Sequence, residues 1–110
     1  MAFYLLQASY TADAIKALVA SPQDREADVR AITEALGGTL HQVFFAFGES
    51  DIVAIMEMSD DKTMAAGSFV ASATGAFSKV HTTQLLTTAE AMEAMSLAKA
   101  TAGAYKPPTG

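Results

Sequence analysis

No cysteine occurs in the sequence, which removes disulfides, thiolate nucleophiles and cysteine zinc sites together. A small secreted domain is more often stapled by disulfides, so a cytoplasmic setting is expected. Bases are scarce as well: seven against twelve acids, for a net charge of −5. Arg25 and Arg30 are the only arginines, and Lys16, Lys62, Lys79, Lys99 and Lys106 are scattered along the chain. Nucleic-acid binding draws its affinity from clustered cations on phosphates, so that partner is not expected. Long apolar runs are missing too. No stretch approaches the ~18 apolar residues of a membrane span. The start, MAFYLLQASYTADAIK, has no basic head and reads as a first strand rather than a signal peptide. No membrane partner is expected.

What is present is 110 residues with a 51% hydrophobic share, enough for one packed core and too short for two. The spacing predicts a single domain over 1–104 and an extended tail over 105–110, where Lys106-Pro107-Pro108-Thr109-Gly110 cannot continue a helix. Phe3 to Tyr10 reads as a strand. Thr11 caps a helix with Asp13 in its first turn. At Ser21-Pro22 the helix breaks and restarts, serine as N-cap and proline in the first helical position. Val29, Ile32, Thr33 and Leu36 then recur at helical spacing, and Gly37-Gly38 stops the element. Thr39 to Phe47 and Asp51 to Met58 read as strands. Asp60-Asp61 opens a helix crowded with small residues, reaching about Thr74, and Phe77 to Leu86 is a fourth strand. Thr87 and Glu90 form a capping box for a last helix bearing Met92 and Met95.

The order β-α-β-β-α-β with an extra C-terminal helix is that of an α+β, ferredoxin-like sandwich. Right-handed crossovers then give an antiparallel sheet in the order 4-1-3-2. Alternation assigns Ile52, Ala54, Met56 and Met58, with Tyr4, Leu6 and Ala8, to the helix side. Phe3, Leu5, Val53 and Ile55 are left on the other face as an apolar patch. In the second and fourth strands the alternation does not decide a side. Four such side chains left wet would forfeit roughly 6–12 kcal/mol, comparable with the about 5–15 kcal/mol that stabilises a whole domain. A patch of this kind marks an interface, and a second copy across a two-fold axis is the expected cover. The last helix folding back over the patch is the other possibility.

The pieces "YLLQASYT", "SPQDREADV", "EALGGTL", "FGESDIVAIME" and "LLTTAEAM" fall in order over about residues 1–96. In this the chain resembles the GYD-domain family, small proteins named for a Gly-x-Tyr-Asp-type turn between the second and third strands. That family belongs among the dimeric α/β-barrel, ferredoxin-like proteins. Gly48 and Asp51 hold the signature places, while Ser50 stands where the tyrosine would be. The resemblance implies a fold and self-association, and it implies no reaction.

The signature segment Gly48-Glu49-Ser50-Asp51 invites a reading as a serine flanked by carboxylates. A serine nucleophile needs an adjacent base and a strained strand-to-helix elbow, neither of which the sequence supplies. Glycine tolerates positive φ, and Ser and Asp bond their own backbone in turns, so a tight hairpin is expected instead. His41 and His81, the only histidines, lie too far apart in sequence for a local zinc signature, so no metal is expected, nor any cofactor. The methionines suit adaptable packing. Asp24, Arg25, Glu26, Asp28 and Arg30 suit a solvated helix face. The leading expectation is a non-enzymatic homo-oligomer joined through the open sheet face, able to cradle a small apolar ligand between sheet and helices. The alternative is a cofactor-free enzyme, monooxygenase- or isomerase-like, holding a hydrophobic substrate on that open face. Glu57 or His81 would then act as base, and Asp51 is the third candidate.

Overall fold

A computed structural model describes residues 1–109. Nine elements follow in order: β1 (Ala2–Tyr10), α1 (Ala12–Ala20), α2 (Glu26–Ala35), β2 (Thr39–Phe45), β3 (Ile52–Met58), α3 (Asp61–Ala73), β4 (Phe77–Leu85), α4 (Thr88–Thr101) and a 3-10 turn (Ala102–Ala104). The four strands form one antiparallel sheet in the order β2-β3-β1-β4, as the crossover rule requires. β1 pairs with β3 and with β4, and β2 and β4 are the edges.

The core lies between one sheet face and the α2–α3 layer. Tyr4, Leu40, Ala54, Met56, Met58 and Met64 form its buried cluster, with Leu6, Val29, Leu36 and Val43 packed around it. β3 alternates perfectly, every second residue from Ile52 to Met58 being buried. Thr33 is the one buried polar residue of this layer, and its hydroxyl is satisfied by donating to the Val29 carbonyl at 2.7 Å.

The helix ends follow local chemistry. The Thr11 hydroxyl accepts from the Ala14 N–H, and the Asp60 carboxylate accepts from the Thr63 N–H at 2.8 Å. Those Thr63 bonds, from hydroxyl and backbone, hold the Asp60 carboxyl below the usual carboxylate range. Thr87 and Glu90 complete the capping box of α4. One start differs from the sequence expectation. α2 begins at Glu26, not at Pro22, because the Asp24 side chain accepts from the Glu26 N–H and ties the preceding residues into a turn. The Gly37 backbone takes φ +78°, the left-handed stop that ends this helix.

The sheet's edge strands explain why alternation could not orient them. In β2 the register slips between Leu40 and Gln42, so His41 is an extra residue with no partner on β3. Leu40 opposite Met56, Val43 opposite Ala54 and Phe45 opposite Ile52 therefore all face the helices despite odd spacing. β4 carries a similar slip: Lys79 faces Ser9 and Phe77 faces Tyr10, which leaves Ser78 unpaired. A one-residue bulge inverts every parity reading beyond it.

α4 stands apart. It buries no residue, and Met92, Met95 and Leu97 are all exposed. The chain measures 59 × 33 × 22 Å with a radius of gyration of 17.9 Å. A compact chain of this length has a radius of gyration of about 13 Å.

Candidate functional site

Three places hold the chemistry-bearing side chains: the β2–β3 loop, the open sheet face and a cleft under the helices.

The loop runs from Ala46 to Asp51 and is wider than the tight turn expected from Gly48-Glu49-Ser50-Asp51. Gly48 does not use a positive φ, and a Cβ there would meet open space, so glycine's backbone freedom is not what shapes it. The loop is held instead by Asp51. Its N–H donates to the Ala8 carbonyl at 2.9 Å, its carboxylate accepts from the Tyr10 N–H at 2.9 Å, and its carbonyl accepts from the Ala46 N–H at 2.8 Å. The Ser9 hydroxyl adds a bond to the Glu49 carbonyl at 3.1 Å. Asp51 thus clips the loop to the end of β1. Its carboxylate is committed to a backbone amide, an architectural role. Among the described residues the Ser50 hydroxyl has no hydrogen-bond partner, and the carboxylate next to it, Asp51, is bonded to the Tyr10 N–H.

On the open face, register places Phe3, Leu5, Val53 and Ile55 together, Phe3 opposite Glu57, Leu5 opposite Ile55 and Gln7 opposite Val53. All four apolar side chains are half-buried by one another, and the bulge in β2 adds Phe44, opposite Val53, as a fifth. The bulge also swings His41 to this side. Its Nε2 lies 2.7 Å from Glu57 Oε1, and its ring packs against Phe3 with centroids 5.4 Å apart. His81 lies opposite Gln7 on β4. It is four residues along and two strands across from Glu57, a separation of about 16 Å at ordinary strand spacings. Glu57, His81 and Asp51 do not converge. The structure joins Glu57 to His41, a pair that parity reasoning missed because the extra residue is itself the histidine. Among the described residues, no three of the His, Asp and Glu side chains are grouped to hold a metal ion.

The cleft lies on the other side of the sheet, where α2 and α3 stand apart. It encloses about 210 Å³ and is lined chiefly by apolar side chains, Leu6, Ala54, Met56, Ile32 and Val80 among them. At its mouth Tyr10 stacks on Phe77 with centroids 4.8 Å apart, and burial pushes the Tyr10 phenol up. Neither Glu57 nor His81 reaches this space. Beside it, the Tyr4 hydroxyl donates to Asp61 Oδ1. That bond, with burial and the nearby charges of Asp61 and Asp60, pushes the Tyr4 phenol up to about 12. On α2, Arg25 pairs with Asp28 at 2.9 Å and Arg30 lies 3.8 Å from Glu26, all partly or fully exposed, as a solvated face requires.

A four-stranded antiparallel sheet in this order, with its main helices on one face, defines a ferredoxin-like α+β domain. The model of the GYD domain matches residues 4–104, and the chain belongs to the GYD-domain family. Comparison with curated proteins gave no match. No helix among the described residues is long and apolar enough to cross a membrane.

Proposed function

We propose that this GYD-domain chain works as a homo-oligomeric module, two copies meeting through their open sheet faces in a cytoplasmic setting. One observation carries the reading: the chain exposes 7585 Å² of surface. A folded monomer of 11.5 kDa exposes about 5,800 Å² on the usual scaling. The surplus of roughly 1,800 Å² per chain, to which the projecting α4 contributes together with the open face, lies within the range each partner buries in an obligate homodimer, about 1,000–2,500 Å². The five apolar side chains from Phe3 to Phe44 on the open face supply the contiguous patch such an interface needs. The last helix does not cover them, since α4 buries nothing.

The cleft supports a subsidiary role for a small apolar ligand held between sheet and helices. Pockets for small molecules usually run from about 300 Å³ upward, so at about 210 Å³ its occupant would be compact. An enzymatic use of Glu57 or His81 would need the substrate on the open face, with the sheet between it and this cleft. The test is the mass in solution by light scattering across a dilution series, with native mass spectrometry for any co-purifying molecule. Multiples of the protomer mass are expected. A lone protomer at every concentration overturns the proposal.

A further inference from the structure

The cleft between the sheet and the α2–α3 layer has a chemistry that narrows what it can hold. The hydroxyls that line it are already engaged. Thr33 donates to the Val29 carbonyl at 2.7 Å, Thr74 donates to the Ala71 carbonyl at 2.7 Å, and the Ser68 hydroxyl lies 3.2 Å from that of Thr82. Among the described residues no buried side-chain nitrogen or oxygen lacks a partner. The space of about 210 Å³ has room for about seven waters at ~30 Å³ each, and a buried water needs about two to four polar partners. Water gains little there.

An apolar guest does better. A cavity of ~150 Å³ walled by leucine, isoleucine and phenylalanine stays dry and takes up benzene. This cleft is larger by somewhat less than half, which suits one ring with a small substituent or a fused second ring. The walls favour a ring over a chain. Met56, Met58 and Met64 all line the space, and thioethers are favourable neighbours of aromatic edges. At the mouth the stacked rings of Tyr10 and Phe77 offer a guest two further aromatic contacts.

The mouth also sets the guest's charge. Arg25 and Asp28 stand there 2.9 Å apart, and the Arg25 guanidinium donates to Gln23 Oε1 as well at 2.7 Å. With its charge answered, the guanidinium has little attraction left for a carboxylate, and Asp28 repels one. The Tyr10 hydroxyl is the remaining polar group of the mouth, and its oxygen can accept a hydrogen bond. We propose that the cleft binds a compact, neutral aromatic molecule carrying one hydrogen-bond donor, of the phenol or indole class. Its ring lies among the methionines and its donor meets the Tyr10 oxygen. The inference rests on the cradle reading given above and names the guest.

Isothermal titration calorimetry on the full chain tests it with p-cresol, indole, toluene, hexanol and benzoate. p-Cresol and indole should bind once per protomer, about ten-fold or more tighter than hexanol or benzoate. Ala71→Leu pushes a larger side chain into the cleft from α3. It should weaken p-cresol and indole by about ten-fold or more while the mass and circular-dichroism spectrum are kept. Tyr10→Phe keeps the stacked ring and should weaken p-cresol by about two- to ten-fold while leaving toluene unchanged. It decides the matter if Ala71→Leu does not fold. Hexanol or benzoate binding as tightly as p-cresol overturns the neutral aromatic guest and leaves the cradle standing. No binding by any probe at millimolar concentration overturns both. Affinity for p-cresol unmoved by the folded variants overturns the site.

Discussion

Val53→Asp is the most direct strike at the proposed interface. Val53 sits mid-strand on β3, between Gln7 on β1 and Phe44 on β2, at the centre of the apolar face. Burying a valine side chain contributes ~1.5–3 kcal/mol. Val53 is already half-buried in its own protomer, so association covers about half of it in each of two copies, a transfer loss of ~1.5–3 kcal/mol in all. At ~1.4 kcal/mol per tenfold, association should weaken by about ten- to a hundred-fold. The two new carboxylates add to this, since an unpaired charge held out of water costs several kcal/mol. In a lone protomer, by contrast, position 53 is only half-buried, so an Asp carboxylate there keeps its contact with water. The expected result is a drop in mass by light scattering at micromolar concentration, with the circular-dichroism spectrum of a folded domain or, where the protomer cannot stand alone, its loss. Val53→Ile keeps the apolar surface and should keep the assembly. A Val53→Asp protein with the parent's mass and melting temperature would refute the assignment of this face.

Other expectations concern the scaffold. A Cβ on Gly38 would fall on the Glu57 carbonyl oxygen and within 2.5 Å of Met58 Sδ, in a side chain only 2% exposed. Overpacking of that kind costs about 1–3 kcal/mol, so Gly38→Ala should lower the melting temperature by several degrees, whereas Gly48→Ala should not. Ser50→Ala should change stability by no more than about 0.5 kcal/mol. Asp51→Ala should cost about 2 kcal/mol in denaturant titrations, because it leaves the Tyr10 N–H without its charged acceptor. Tyr4 should ionise near pH 12 in ultraviolet titration. Its proton is held more tightly in the folded state than in the unfolded one, where the phenol titrates near ~10. That contribution is therefore complete below pH ~10 and is lost as pH rises through about 12, and Tyr4→Phe should flatten the loss.

How much was legible in the sequence depended on whether local pattern and tertiary structure agreed. β1 and β3 are central, unbulged over their shared register, and covered on one side by helices, so period-2 alternation placed their side chains correctly. β2 and β4 each carry an inserted residue, and alternation fails across it. Caps at Thr11, Asp60 and Thr87 were readable because a single side chain satisfies the orphan amide. The start of α2 was not, because Asp24 and Ser21 are both good turn and cap formers, and only the Asp24–Glu26 bond decides between them. The pairing of Glu57 with His41 needed the bulge, and Asp51's bond to Tyr10 needed the fold. The apolar faces of α4 were visible as composition, while no periodicity marked one side for docking.

The slip in β2 has one more consequence. If His41 were deleted, Leu40, Gln42, Val43, Phe44 and Phe45 would alternate without interruption, and every inward side chain would keep its present neighbour on β3. The ladder has no use for that position. The strand tolerates the insertion because it lies at an edge, where a kink disturbs one neighbour only. What the chain gains is an imidazole against the Glu57 carboxylate, at the rim of a surface that is otherwise greasy. A single-codon loss there would leave the architecture whole and remove the imidazole that touches that acid.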